Sequence, residues 1–313
     1  MTTSLIAELE RRGYKGRAVP IDRLDDLRRD IRARQDEGCF DGAFSRERLT
    51  GLKFEVPADF PEARSLLIVA TAQPSVSFSF DWRGRRCELL VPPTYLHWRD
   101  ADRRVEGVVT RILGPGRHRV ESAAVPKKLL AVRSGLADYG RNNLTYVPRM
   151  GSFHRLTALL CDAPCGDHDW REPAVLGRCE SCNACLKTCP TGAISSDRFL
   201  LHAERCVSFC NEEPSSIPFP PWLKPEWHEC LVGCLTCQRV CPENEDVLAW
   251  VEEGARLSEE ETKLLLDGVS LEQLPSVLVE KLARSDLVDL LDVLPRNLHA
   301  LLDRADPGSA RPR

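Results

Sequence analysis

Ten of the chain's fourteen cysteines crowd between Cys179 and Cys241, and their spacing constrains the fold more than any other feature. The first group reads Cys179-x2-Cys182-x2-Cys185-x3-Cys189-Pro190, and a shorter copy follows as Cys234-x2-Cys237-x3-Cys241-Pro242. In this pattern three thiolates two residues apart wrap one cubane of iron and sulfide, while the fourth points away to a neighbouring cluster. Cys206, between the copies, brings the ligands to eight, enough for two 4Fe-4S clusters. The crossed arrangement assigns Cys179, Cys182, Cys185 and Cys241 to one cluster, and Cys189, Cys206, Cys234 and Cys237 to the other. Cys210 and Cys230 compete for ligand positions; Cys206 is preferred because it follows a predicted strand within an Arg-Cys pair, which leaves those two as free thiols. Zinc is the rival metal, but four-cysteine zinc sites usually use well-separated Cys-x2-Cys pairs. Two clusters held side by side make an electron relay, and what the relay feeds must lie upstream in the chain.

Fourteen cysteines would suggest disulfides in a short secreted protein, whereas in a chain of 313 residues they read as metal ligands or redox groups. The start, MTTSLIAELERRGYKG, has no signal-peptide core, and no apolar run approaches about 18 residues, so the expectation is a cytoplasmic protein without a membrane segment. Residues 1 to 150 hold 27 basic against 20 acidic side chains, a balance of +7, and the remainder balances at -11. A basic front half suits an anionic substrate; solvated arginine-rich helix faces give the same count.

The front half mixes predicted strands and helices. Ser65 to Ala72 is a buried-strand run, and Val76, Phe78 and Phe80 alternate like a half-buried strand that Cys87 to Val91 answers as a second hairpin arm. Amphipathic helices are expected from Ile21 to Gly38 and from Trp98 to Leu113, with another that has Pro126 in its first turn and ends near Gly135. Pro214 to Pro225 reads as an ordered loop of extended backbone. Ser258-Glu259-Glu260-Glu261 and Ser270-Leu271-Glu272-Gln273 both fit capping boxes that open a leucine-rich helical tail, and the segment from Asp306 is expected to be disordered. The fold class is α+β: an α/β reductase-like domain over 1–155, a ferredoxin-like double-cluster domain over 156–250, and a short helical array over 251–313.

Three further segments carry a resemblance. Residues 132 to 152 (VRSGLADYGRNNLTYVPRMGS), 178 to 194 (RCESCNACLKTCPTGAI) and Gly233 to Asn244 follow the order and spacing of the epoxyqueuosine reductase family, cobalamin-dependent iron-sulfur enzymes related to reductive dehalogenases. The resemblance implies a cobalamin-binding front domain fed by the clusters, an external electron donor of flavodoxin or ferredoxin type, and transfer RNA as substrate. It also implies cofactor contacts from Tyr95, His97, Arg141 and Asn142, and a general acid where the family has Val-Asp-Thr-Gly-Pro. Here that segment is Val120-Glu121-Ser122-Ala123-Ala124, so Glu121 is the candidate acid, one methylene longer. Asp138 and Arg141 stand where the family has Trp and Lys. With the departures on the substrate side, the alternative is a ferredoxin-like electron carrier or docking protein without cobalamin chemistry. No Gly-x-Gly-x-x-Gly run supports a dinucleotide cofactor instead.

Overall fold

The computed structural model describes residues 2–304; the expectation for the segment from Asp306 lies outside them. Nine strands follow in chain order: β1 (Lys15–Pro20), β2 (Ser65–Ala72), β3 (Ser75–Trp82), β4 (Arg85–Val91), β5 (Val120–Ser122), β6 (Asp138–Tyr139), β7 (Thr145–Tyr146), β8 (His154–Cys161) and β9 (Val251–Leu257). The main sheet runs β1-β2-β8-β5, antiparallel at every pairing.

The apolar run of β2 is explained by its central place, with a covered layer on both faces. Leu66, Ile68 and Ala70 pack with Leu24, Leu27 and Leu130 from the helices Arg23–Asp36 and Lys127–Arg133. Leu67 and Val69 point the other way, toward Leu5, Leu9, Val105 and Val109 of the helices Thr2–Arg11 and Trp98–Leu113. Side chains alternate across a strand, so a strand with two buried faces shows no polar alternation. Pro126 caps the Lys127–Arg133 helix rather than entering its first turn.

A second sheet, β4-β3-β9, stands apart from the first. Its hairpin turns at Arg83 and Gly84, with φ of 51° and 70°, the left-handed pair that a two-residue turn between twisted strands requires. The third strand was not legible as one. VEEGARL is charged and irregular, yet β9 pairs parallel with β3 from Ser75↔Val251 onward, with a register shift near Ser77 and Ser79. Gly254 permits this approach, because a Cβ there would sit 2.6 Å from the Phe78 ring.

The leucine-rich tail therefore shares a core with the front hairpin: Phe78, Phe80 and Val91 bury against Leu257, Leu265, Leu278, Leu282, Leu294 and Leu298. The capping box at Ser258 is formed, Glu261 N–H donating to Ser258 Oγ at 3.2 Å and Ser258 N–H to Glu261 Oε2 at 2.8 Å. The one expected at Ser270 is not; Ser270 leads only a 3-10 turn and its hydroxyl meets Gln273. The proline-rich stretch is ordered, pinned by the Arg296 guanidinium, which donates to the carbonyls of Cys210, Glu213 and Pro214 and lies 4.0 Å from the Phe219 ring. Among the described residues, no helix is long and apolar enough to cross a membrane.

Candidate functional site

The cysteine block is built on short helical turns. Cys179 sits in the 3-10 turn Gly177–Glu180, Cys185 on the helix Ala184–Thr188, Cys189 at that helix's end, and Cys237 on the helix Thr236–Arg239. The two short helices pack together, matching the duplicated spacing. Cys206 caps the helix Val207–Asn211 and follows a 3-10 turn, Ala203–Arg205, not the strand that the sequence suggested. Its ψ of 131° is extended, and that local extension carries the Arg-Cys pair toward the second group.

The two quartets that the crossed spacing suggests lie close enough for their thiols to raise one another. Burial first, then the charges of Cys179, Cys241 and Cys182, push the Cys185 thiol up, and Cys179 likewise adds to the burial that raises Cys241. In the other quartet, burial and then Cys234 push Cys206 up to about 11; burial and, among smaller causes, Cys189 raise Cys234. Cys237 is raised well above its usual range by burial, then by Cys234 and Cys206. Most of these neighbours belong to the same crossed set, although Cys185 also adds to the rise of Cys237. As bare thiols Cys185, Cys206, Cys234, Cys237 and Cys241 resist ionisation, so these donors fit a cationic iron-sulfur core that draws off their protons. Among the described residues no three His, Cys, Asp or Glu side chains gather tightly enough for a single metal ion.

The two rival cysteines point into apolar packing. Cys210 lies with Val207 and Leu223, and burial pushes it up to about 11; Cys230 is fully buried near Phe153 and Leu235, and burial followed by the Cys234 charge pushes it up to about 12.

Beside the second quartet opens a cavity of about 450 Å³, lined by Cys189, Cys206, Cys234 and Cys237 together. None of the first quartet's cysteines lines it. Tyr95 does, its hydroxyl donating to Glu212 Oε1 at 2.5 Å, and Arg48 meets the other carboxylate oxygen at 3.0 Å. Glu212 is the one carboxylate among the described lining residues, against Arg48, Lys127, Lys128 and Arg155. Lys128 lines the cavity, its ammonium donating to the Asn143 carbonyl at 3.2 Å with Cys206, Cys237 and Glu212 nearby.

The remaining sequence candidates divide. Asn142 lines the cavity, but its amide serves the cysteines: it donates to Tyr146 Oη at 2.9 Å and hydrogen-bonds the Cys237 sulfur. Tyr146, which sequence reasoning missed although it lies within the 132 to 152 segment, in turn contacts Cys241, so the pair touches both quartets. Arg141 is off the cavity wall and donates to the Cys179 carbonyl at 2.6 Å. Gly140 makes this turn possible, since a Cβ would fall 2.4 Å from the Tyr146 ring and 2.6 Å from Asn142 Oδ1. His97 is exposed in a neighbouring cleft, its backbone N–H bonded to Asp286. Glu121 is not brought to the cavity: it sits on β5 at the sheet edge, accepting from Arg119 Nε at 2.7 Å.

His154, also missed, lines the cavity with both ring nitrogens occupied. Nδ1–H donates to the Gly151 carbonyl at 3.0 Å, so Nε2 accepts from Thr145 Oγ1 at 3.0 Å. Burial holds it neutral and pushes its pKa down to about 4. The unfolded chain's histidine takes up a proton near pH 6.5 that the folded one refuses until about 4, so stability falls as pH drops through that window. Between pH 7 and 5 the wild type is expected to lose about 2 kcal/mol more than His154→Gln in urea unfolding, a difference that vanishes if the folded imidazole titrates normally.

Comparison with known proteins closes the case for the cysteine block. Residues 178–244 match the model of a 4Fe-4S double cluster binding domain. The epoxyqueuosine reductase of Alicycliphilus denitrificans is 32% identical over 201 residues, 61% of this chain and 53% of that protein. The one from Escherichia coli is 35% identical over 125 residues, 40% of this chain and 31% of that protein. Over these stretches the chain resembles epoxyqueuosine reductases. It spans about half the length of the curated relatives it matches. In fold, the chain is similar to the epoxyqueuosine reductase from Streptococcus thermophilus, with TM-score 0.66 at 17% identity over 99% of this chain and 83% of that one. It is likewise similar to an epoxyqueuosine reductase solved with an epoxyqueuosine-modified tRNA stem loop, with TM-score 0.68 at 21% identity over 99% of this chain and 82% of that one.

Proposed function

We propose that the chain is an iron-sulfur reductase in which electrons from an external flavodoxin- or ferredoxin-type donor enter at the cluster of Cys179, Cys182, Cys185 and Cys241. They pass to the cluster of Cys189, Cys206, Cys234 and Cys237, and leave into the cavity. The observation that carries this reading is that all four thiols of the second quartet, and none of the first, line the cavity. An electron relay needs one centre toward the donor and one toward the acceptor, and that asymmetry supplies both ends.

The cavity's residues suit a cobalamin. His154 is engaged at both nitrogens, while Lys127, Lys128 and Arg155 would offer donors to the amide-rich rim of a corrin. Bound there, cobalamin supplies a low-valent, strongly nucleophilic cobalt. The protein's own part is to deliver electrons, exclude competing polar groups and furnish a proton. Glu121, tied to Arg119, is off the wall; the Tyr95 hydroxyl is the proton donor at the cavity, oriented by the Glu212 carboxylate that Arg48 holds in place. The substrate in this reading is an epoxide of a modified tRNA base, as in the proteins that the chain resembles.

The displaced Glu121 favours the second reading, an electron carrier or docking protein without cobalamin. Anaerobic titration of the reconstituted protein with cob(II)alamin separates the two. Stoichiometric binding, with turnover of epoxyqueuosine-modified tRNA that Tyr95→Phe slows about a hundredfold, is expected for loss of a proton donor. Intact clusters that bind no corrinoid overturn the reductase reading.

A further inference from the structure

The four cysteines of the inner, cavity-facing quartet differ from the outer four in the side chains that meet their sulfurs. Cys189, Cys206 and Cys234 are each followed two positions on by a hydroxyl residue, Thr191, Ser208 and Thr236. Thr191 Oγ1 lies 3.6 Å from the Cys189 sulfur and Thr236 Oγ1 3.3 Å from that of Cys234, and the Ser208 hydroxyl hydrogen-bonds Cys206. The fourth sulfur, Cys237, is met by the Asn142 amide. In the outer quartet the same offset places Ser181, Ala184, Lys187 and Glu243 after Cys179, Cys182, Cys185 and Cys241, and Tyr146 is the side chain that reaches a sulfur, that of Cys241.

Local backbone accounts for the offset. Cys206 caps the helix Val207–Asn211 and Cys234 stands just before the helix Thr236–Arg239, and helical side chains tilt toward the N-terminus, so Ser208 and Thr236 lean back over the sulfurs. A sulfur that binds iron has given up its proton, so these hydroxyls then donate to it. A donor to sulfur stabilises the added negative charge of a reduced cluster and raises its potential. Burial acts the other way, and it is the largest influence on both Cys206 and Cys237. Nearby charges give the inner side no advantage: Lys128 and Glu212 oppose each other there, while Arg141, on the Cys179 carbonyl, favours the outer quartet. A relay toward the cavity therefore needs a counterweight, and four donors against one supply it.

We infer that Thr191, Ser208, Thr236 and Asn142 hold up the reduction potential of the inner cluster, so that the step toward the cavity does not run uphill. In that step one electron leaves the outer cluster, which is oxidised, and enters the inner one, which is reduced; no bond forms or breaks and no proton moves. The four are positioning residues that act through the ligand sulfurs. The inference rests on the two-cluster relay proposed above.

The test is a redox titration, followed by electron paramagnetic resonance, of the full-length protein after anaerobic cluster reconstitution. Cys237→Ala, which keeps the outer cluster alone, assigns the two signals. Thr191→Val combined with Thr236→Val keeps the side-chain shapes and removes two donors. It is expected to disfavour reduction of the inner cluster about tenfold, or about 59 mV for one electron, and to leave the outer one in place. Each single variant is expected to give about a threefold part of that shift, so loss of iron in the double variant leaves the singles to decide. Tyr146→Phe is expected to lower the outer cluster instead. Iron content equal to wild type separates a shifted potential from a lost cluster. Wild type in which the inner cluster is tenfold or more the harder to reduce overturns the inference, as do variants whose inner cluster reduces as in wild type. About four irons in the wild type would contradict the two-cluster reading itself, and the inference with it.

Discussion

Replacing Cys237 by alanine is expected to halve the iron of the reconstituted protein, from about eight to about four atoms per chain, while the first cluster stays. Cys237 lies on the helix Thr236–Arg239 within the quartet that faces the cavity, where its sulfur neighbours Cys234 and Cys206. Cys185→Ala should give the same iron loss by removing the other cluster. The two variants then separate in reduction: without the outer cluster, a small chemical reductant still reduces the inner one, whereas without the inner one the protein donor's electrons stop at the outer cluster. Cys210→Ala and Cys230→Ala, whose sulfurs sit in apolar packing, should keep all the iron. Full iron in Cys206→Ala with loss in Cys210→Ala would reassign that ligand.

Asn244→Ala is expected to destabilise the protein by about 3 kcal/mol, because it strips partners from several buried polar groups at once. The side chain is fully buried. Its Oδ1 accepts from Ser152 N–H at 2.8 Å, and its Nδ2 donates to the Gln238 carbonyl and to Ser152 Oγ, each at 2.9 Å. These bonds dock the Cys237 to Cys241 turn on the strand-turn before β8. Gly151 packs so closely there, at φ of 53°, that a Cβ would lie 2.3 Å from Asn244 Oδ1. Urea unfolding measures the loss, and iron release to a chelator should quicken in parallel. A change below about 0.5 kcal/mol would mean that the docking carries little of the stability.

What the sequence made legible was whatever depends on local chemistry. Thiolate spacing announces the two clusters because a cubane imposes it, and the run from Ser65 to Ala72 announces a central strand because both of its faces are apolar. The hairpin from Val76 to Val91 follows from alternation and a Gly turn. What stayed hidden depends on partners far along the chain. Strand β9 is held by its pairing with β3 and by Phe78 over Gly254, neither of which a charged heptapeptide can signal. The box at Ser258 forms because the Glu259–Leu266 helix that it opens buries Leu265 and Leu266 in the hairpin's core, whereas Ser270 leads only a single 3-10 turn.

The site divides in the same way. The double-cluster spacing was readable, but the side chains of Arg141 and Asn142, placed by the resemblance beside a cofactor, turn toward the cysteine loops. Glu121 matched a motif in line, yet two residues away Arg119 holds it at the edge of the sheet. Glu212, which shares no motif with it, reaches the cavity because its helix starts at Cys206.

The central claim, two four-iron clusters on eight cysteines, is tested most directly by metal and sulfide analysis of anaerobically reconstituted protein. The account predicts about eight irons and eight acid-labile sulfides per chain with no stoichiometric zinc. About four irons, or bound zinc in place of iron, would contradict it.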